Sequence, residues 1–328
     1  MARSILRWLI VYLLATAALF PFGAAGQDPV KDYPNRPIKF IVPYPPAGGT
    51  DIVARTLNEP LATLLGQPII IDNRGGAAGN VGTDIAAKAV PDGYTVLFTL
   101  SSYTINPKLY DKLPFDAEKD FVAISLAAMI PQVLVANPNV PVTNIKELIA
   151  LARAQPGKLN YASVGTGSPA HIAGELLKLK TGIDMVHVPY KGGGPAITDI
   201  LGGQVQLAFV SLPAALQYVK AGRLRAIAVT SDQRSIAAPD IPTITESGID
   251  CVVNSWYGAL APAKTPPVIV AKLQAAFARV LAMPEIRDKL LAQGAEARSS
   301  SSADFERLIK EELGKWDYVI HEAKIKPE

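Results

Sequence analysis

One grammar recurs along this chain and narrows its fold more than any other feature. A short apolar run ends in a Gly- or Pro-rich turn, and a stretch with helical period follows. Strands are predicted at residues 38–43, 68–72, 94–99, 132–136, 160–164, 185–189, 205–210, 224–230 and 255–262. The first intervening helix shows Val53, Leu57, Leu61 and Leu64 on one face and stops at Gly66. The tail is predicted helical at 267–281, 284–291 and 302–321, with Ser302 or Asp304 as the last N-cap. Strands that alternate with helices imply an α/β protein built on a parallel sheet.

At 328 residues the chain is long enough for about two domains. Two α/β units are expected. One runs over 27–131 and is completed by 255–328; the other covers 132–254. The extended runs QVLVANP and WYGALAP would cross between them as a hinge pair, with the C-terminal helices returning to the first unit. Residues 1–26 read as a secretory signal. Arg3 and Arg7 precede an apolar run from Trp8 to Phe20, and Pro21 and small residues follow. That run is too short for the roughly 20 residues a membrane span needs. Its removal leaves 30 basic against 29 acidic residues, a net of +1 instead of +3. Such a balance gives no general attraction to nucleic acid. The single cysteine, Cys251, excludes an internal disulfide framework and is expected to be buried.

Two loops carry most of the chemical promise. Pro45-Pro46-Ala47-Gly48-Gly49-Thr50-Asp51 follows a strand and opens a helix, where unpaired N–H groups and the helix dipole suit an anion. The same residues also fit a plain turn in which Thr50 or Asp51 caps the helix. Gly165-Thr166-Gly167-Ser168-Pro169-Ala170 has the same position after another strand. It matches the dinucleotide pattern GxGxx[GA], but Asp184, at the right count for the ribose acid, precedes its strand rather than ending it. A second anion cradle, with the Thr166 and Ser168 hydroxyls added, is the better reading. His171 and Glu175 are spaced like half a metal site, yet no third ligand is evident and no metal or cofactor is expected. There is no GxSxG and no Walker loop. Ser101, Ser102, Asn106, Val210 and Ser211 follow strand ends, where open α/β sheets bind ligands. Strand-to-helix mouths rich in donors and poor in catalytic groups point to binding without chemistry.

The blocks YPNRPIKFIVPYPPAGGTDIVAR, IIIDNRGGAAGNVGTDIAAKAVPDGYTVLF, LNYASVGTGSPAHIAGELLK, VHVPYKGGGPAITDILGGQVQLAF and WYGALAPAKTPP together resemble the tripartite tricarboxylate transporter receptors, the Bug-type periplasmic solute-binding proteins. The resemblance covers nearly the whole chain after residue 26, in order. It implies a two-lobed periplasmic-binding-protein-like fold with a two-strand hinge and a small carboxylate held between the lobes. It also implies a periplasmic, monomeric receptor that is not an enzyme and serves membrane transporter subunits. Carried over, the carboxylate loops are Pro46, Ala47, Gly48 and Gly49 with Asp51, and Thr166, Gly167 and Ser168 with His171. The rest of the pocket would be Tyr44, Ser101, Ser102, Tyr190, Val210 and Ser211. Two departures stand out. Val210-Ser211 replaces a polar pair, often Asp-Asn, which weakens the case for an amino-acid ligand. Ala47 replaces a common Gly, which is tolerable if its φ is negative. A ligand sensor for a signalling partner, or a NAD-dependent oxidoreductase on GTGSPA, are the alternative readings.

Overall fold

The computed structural model describes residues 32–327, and the folded body runs from Pro34 onward. Its first part contains β1 (Ile38–Val42), α1 (Gly49–Leu65), β2 (Ile69–Asn73), α2 (Asn80–Ala87), β3 (Thr95–Leu100) and α3 (Ser102–Leu109). A long strand, β4 (Phe121–Ala136), leads into α4 (Ile145–Ala154), β5 (Asn160–Ser163), α5 (Pro169–Thr181), β6 (Val186–Pro189), α6 (Gly193–Leu201), β7 (Leu207–Ser211), α7 (Leu212–Lys220) and β8 (Arg225–Val229). The chain closes with β9 (Asn254–Pro262), α8 (Pro267–Ala282), α9 (Pro284–Ala292), β10 (Glu296–Ala297), α10 (Ser302–Glu312) and α11 (Asp317–Glu322).

One sheet runs through the body in the order β2-β1-β3-β9-β4-β7-β5-β6, with β8 and β10 also paired to β4. The outer thirds are parallel, as the strand–helix alternation implies. The centre is antiparallel, because β4 and β9 run between the two parallel parts instead of within a βαβ unit. The predicted strand at 132–136 is only the end of β4, which is 16 residues long. Its earlier part pairs with β9 as far as Pro131↔Asn254, and its last part pairs with β7 from Gln132↔Ser211. Proline offers no N–H to a ladder, so Pro131 suits the point where the strand changes partner.

The chain returns past the same point. Thr230 Oγ1 accepts from Gln132 N–H at 3.1 Å and donates to Val253 O at 2.6 Å. Its backbone N–H donates to Gln132 O, and its carbonyl accepts from Val253 N–H. One buried threonine therefore ties the outgoing and returning segments together.

Side chains alternate across β4 as the pleat requires. Leu134 and Ala136 join Tyr161, Leu207 and Phe209 in one apolar cluster, whereas Val133 and Val135 join Ala162, Ala208 and Val210 in the other. In the first part, Phe40 stacks between Phe98 and Phe277. Fully burying one such ring contributes about 1.5–3 kcal/mol. Helices α8 and α10 cover this part, with Phe277 on Phe40 and Phe305 edge-on to Trp256. The last helix behaves differently from the expectation of a common return. Trp316 and Val319 pack into the cluster around Tyr161 and Phe209.

Helix ends follow local chemistry. Helix α1 stops at Gly66 and α5 at Gly182, both left-handed at φ 73° and 65°. Asn144 caps α4, and Ser301 caps α10 by accepting from Asp304 N–H at 3.0 Å. The predicted caps, Ser302 and Asp304, lie one and three residues further inside, where Asp304 accepts the Ser301 hydroxyl in return.

Candidate functional site

Four helix starts meet at one small cavity. Gly48, Gly49 and Thr50 enter it from α1, Pro169 from α5, Gly193 from α6 and Ser211 from α7. Tyr44, Leu100, Gln132, Val164, Ser255 and Tyr257 complete its wall. None of these twelve described residues carries a charge. The cavity holds about 20 Å³, room for about one water and no more.

Capping chemistry separates these helix starts. Ser168 caps α5 by accepting from His171 N–H at 3.2 Å, so that terminus satisfies itself. Gly48, Gly192 and Ser211 stand at the N-caps of α1, α6 and α7, and none gives a side-chain cap bond. The first N–H groups of those helices are left for another acceptor. They are also close together. A Cβ on Gly193 would lie 3.4 Å from Gly48 Cα, and one on Gly48 would lie 3.6 Å from Gly193 N. At those distances a methyl would only touch its neighbour, so the two helix starts lie directly against each other.

Asp51 builds the first loop. Its carboxylate accepts from Ala47 N–H (2.9 Å), from Arg55 Nε (2.9 and 3.0 Å) and from Asn73 Nδ2 (3.0 Å). With those partners the buried carboxylate faces its own loop and strand β2. Ala47 has φ +64°, so the condition for easy tolerance is not met: the turn that Asp51 holds puts an alanine in the left-handed region. Pro46 and Ala47 are exposed, whereas Gly48, Gly49 and Tyr44 are buried.

At the cavity floor a Cβ on Gly49 would come within 2.1 Å of Ser211 Oγ and 2.3 Å of Tyr257 Oη. The Tyr257 hydroxyl is pushed up in pKa by burial, with partial relief from the Ser211 and Thr50 hydroxyls beside it. Burial likewise pushes Tyr44 up to about 12. Ser101 lies behind the wall and shares a 2.8 Å hydrogen bond with Ser255. Val210 points the opposite way from Ser211, into the apolar cluster with Val133 and Ala162, because neighbours on a strand face opposite sides. Tyr190 is half-buried, packs against the same apolar cluster instead of the cavity wall, and its hydroxyl donates to Asp199 at 2.7 Å.

The loop at Gly165–Ser168 is anchored from beneath. Gly167 N–H donates to His171 Nδ1 at 3.2 Å. The His171 ring stacks on His187 at 3.7 Å and 8°, and its Nε2 lies 3.9 Å from Glu175 Oε1. Glu175 in turn accepts from Tyr161 Oη at 2.5 Å and Lys178 Nζ at 3.0 Å. Burial holds His171 down at about 2 and His187 at about 4. His171 and Glu175 thus form a neutral-histidine support under the loop, not an open pair of ligands. Thr166 and Gly167 are buried in the loop itself. Asp184 precedes β6, at the opposite end of the strands from this loop, so no acid stands where a ribose would be read. Cys251 is buried in the core, its thiol pushed up to about 12 by burial.

Sequence reasoning did not single out Leu100, Gln132, Val164, Gly193 and Tyr257 as wall residues, and it ranked Asn254-Ser255 only as a weak strand-end contact. Gly193 had a signal, since YKGGGPA is a third Gly-rich strand-to-helix turn. Tyr257 had none, because within WYGALAP it reads as core.

A mixed sheet with helix starts converging on a central cavity defines a solute-binding architecture. The chain matches the family model for the tripartite tricarboxylate transporter family receptor over residues 53–325. It is 38% identical over 321 residues to protein BugT of Bordetella pertussis, covering 96% of this chain and 98% of that one. An R. palustris protein solved with adipate superposes with a TM-score of 0.88 at 34% identity, over 90% of this chain and all of that one (100%). The Rhodopseudomonas palustris protein MatC with bound malate gives 0.83 at 31% identity, over 88% and 100% of the two chains. The chain belongs to the tripartite tricarboxylate transporter receptor family, whose members are periplasmic solute-binding proteins of the Bug type. The segment read as a secretory signal, residues 1–26, lies outside the described residues.

Proposed function

We propose that this chain is a periplasmic receptor that captures a small organic carboxylate and presents it to membrane transporter subunits, without transforming it. The observation that carries this reading is the meeting of three helix N-termini without side-chain caps at one uncharged cavity. Backbone N–H groups and helix dipoles favour an anion there without a cationic side chain. The relatives solved with adipate and malate support the same ligand class. The wall offers hydroxyls and one amide and no acid or base, which suits holding a ligand and leaves no group for proton transfer.

A cavity of about 20 Å³ is smaller than any dicarboxylate, so capture requires opening. The reading therefore includes two lobes, 34–131 with 255–312 and 132–254 with the last helix, that part about the crossing at Pro131–Gln132 and Val253–Asn254. The ligand carboxylate would meet Gly48, Gly49, Gly193 and Ser211. Ser168, His171 and Asp51 would position loops, and Tyr44, Thr50, Gln132, Ser255 and Tyr257 would shape the rest.

A thermal-shift screen of the mature protein tests this. A ligand at 100 times its Kd adds about 2.7 kcal/mol. Dicarboxylates and tricarboxylates should raise Tm and neutral sugars should not; the reverse result refutes the reading.

A further inference from the structure

Two buried polar atoms of α3, Ser102 Oγ and Asn106 Oδ1, have no hydrogen-bond partner in the protein. Their residues are 0% and 2% exposed. An unpaired buried polar atom costs about 1–3 kcal/mol, so each such atom calls for a reason, and a ligand atom is one. The two residues are one helical turn apart, on the same face.

Neither is part of the cavity wall; Tyr44, which is, and the loop before α5 connect them to it. Asn106 Nδ2 donates to Asn80 Oδ1 at 2.6 Å and to Ala78 O at 3.3 Å. Those two acceptors fix the amide, since the flipped form would set oxygen against the Ala78 carbonyl. Asn106 Oδ1 then aims at the start of α5: a Cβ on Gly167 would lie 2.7 Å from it. Tyr44 Oη donates to the same Ala78 carbonyl at 3.3 Å, and Tyr44 is part of the cavity wall. Ser102 Oγ lies beside that hydroxyl, outside hydrogen-bonding geometry with it. The Ala78 carbonyl is turned inward by two successive left-handed alanines, Ala77 at φ +45° and Ala78 at +51°. Strain of this kind is held where the surroundings require it.

We propose that Ser102 and Asn106 form a subsite for a hydroxyl on the ligand's carbon chain, so that this receptor selects a hydroxylated carboxylate over its unsubstituted parent. The inference rests on the carboxylate-receptor reading above. Asn106 Oδ1 only accepts, and the Ser102 hydroxyl can donate or accept. A ligand hydroxyl meets both, donating to Asn106 Oδ1 and accepting from Ser102. A carboxylate oxygen would oppose Asn106 Oδ1. A methylene would leave both atoms unpaired. An ammonium would be desolvated with no acid in the cavity wall to offset its charge.

Calorimetric titration of the mature protein with carboxylates that differ by one hydroxyl tests this. The pairs are succinate with each enantiomer of malate, and tricarballylate with citrate; aspartate serves as the amine counterpart of malate. The hydroxylated member of at least one pair should bind about tenfold more tightly than its parent, a gap of about 1.4 kcal/mol. Ser102→Ala should close that gap by weakening the hydroxylated member, with the parent bound at least as tightly as before, since no hydroxyl is then left unpaired. Asn106→Leu should do the same, with Tm as the check that it folds. Equal binding within both pairs overturns the subsite and leaves the receptor reading standing. So does aspartate binding above malate, or Ser102→Ala weakening both members equally. If no carboxylate binds at all, the receptor reading falls and the subsite with it.

Discussion

Ala47 and the stacked histidines show how much single residues carry here. Ala47 sits at φ +64°, a region that costs a non-glycine residue about 1–2 kcal/mol. Replacing it with glycine removes that cost and adds about 0.5–1 kcal/mol of chain entropy to be lost on folding. Ala47→Gly should therefore raise stability by about 0.5–1 kcal/mol in urea unfolding; a loss of stability would mean the methyl group contributes contacts the turn needs. His171 and His187 make a second prediction. Both are held neutral, at about 2 and about 4 against an ordinary 6.5, by burial first and by nearby positive charge second. The unfolded chain binds their protons more readily, so stability is full above about pH 6.5 and falls as pH drops toward 4. Each histidine contributes on the order of 1.4 kcal/mol per pH unit in that window. Urea midpoints measured from about pH 7 to pH 5 should fall steadily, and a flat profile would show that the pair charges without cost.

At the scale of elements, capping divides the helix starts into those that satisfy themselves and those left for a ligand. The GTGSPA and PPAGGTD loops look alike in sequence, yet Ser168 caps its helix and Gly48 does not. Ser168→Ala should lower stability by about 1 kcal/mol through the lost cap. Ligand affinity should fall less than it does for changes at Gly48–Gly49; an unchanged melting temperature with lost binding would make Ser168 a direct contact instead. Most strands were legible, because apolar runs flanked by Gly and Pro have few other readings. The first eleven residues of β4 were not, since FVAISLAAMIP is almost continuously apolar, holds three Ala and shows no alternation, and it is paired along its length with β9. Helix α3 was hidden for the converse reason. SYTINPKL contains Pro107 and β-branched residues, and burial of Tyr103, Ile105 and Leu109 overrides that local preference.

The whole molecule depends on how closely its two parallel parts approach. Gly49 is where that approach is tightest, with Ser211 and Tyr257 both inside 2.5 Å of a notional Cβ. Gly49→Ala should leave unfolding stability within about 1 kcal/mol of the parent's, because the parts can settle slightly apart. It should cost ligand affinity at least tenfold, because the closed form is blocked. Small-angle scattering with and without ligand would read this as a loss of ligand-induced compaction. Equal loss of fold and binding would show that the glycine serves the turn alone.

The alternation of strand and helix, the Gly-rich turns and the absence of catalytic patterns were local properties, and the sequence alone determined them. So was the family, because its blocks are contiguous runs. Which helix start faces which was a tertiary decision. The sequence offered several glycine-rich strand-to-helix turns and favoured two of them. Only folding set Gly48 against Gly193, left Ser168 to its own helix, turned Val210 into the core and Ser211 to the cavity, and brought Tyr257 across from a strand that reads as core. Contacts between residues far apart in the chain have no local signature, because they are chosen by the packing of whole elements and not by the composition of any one of them.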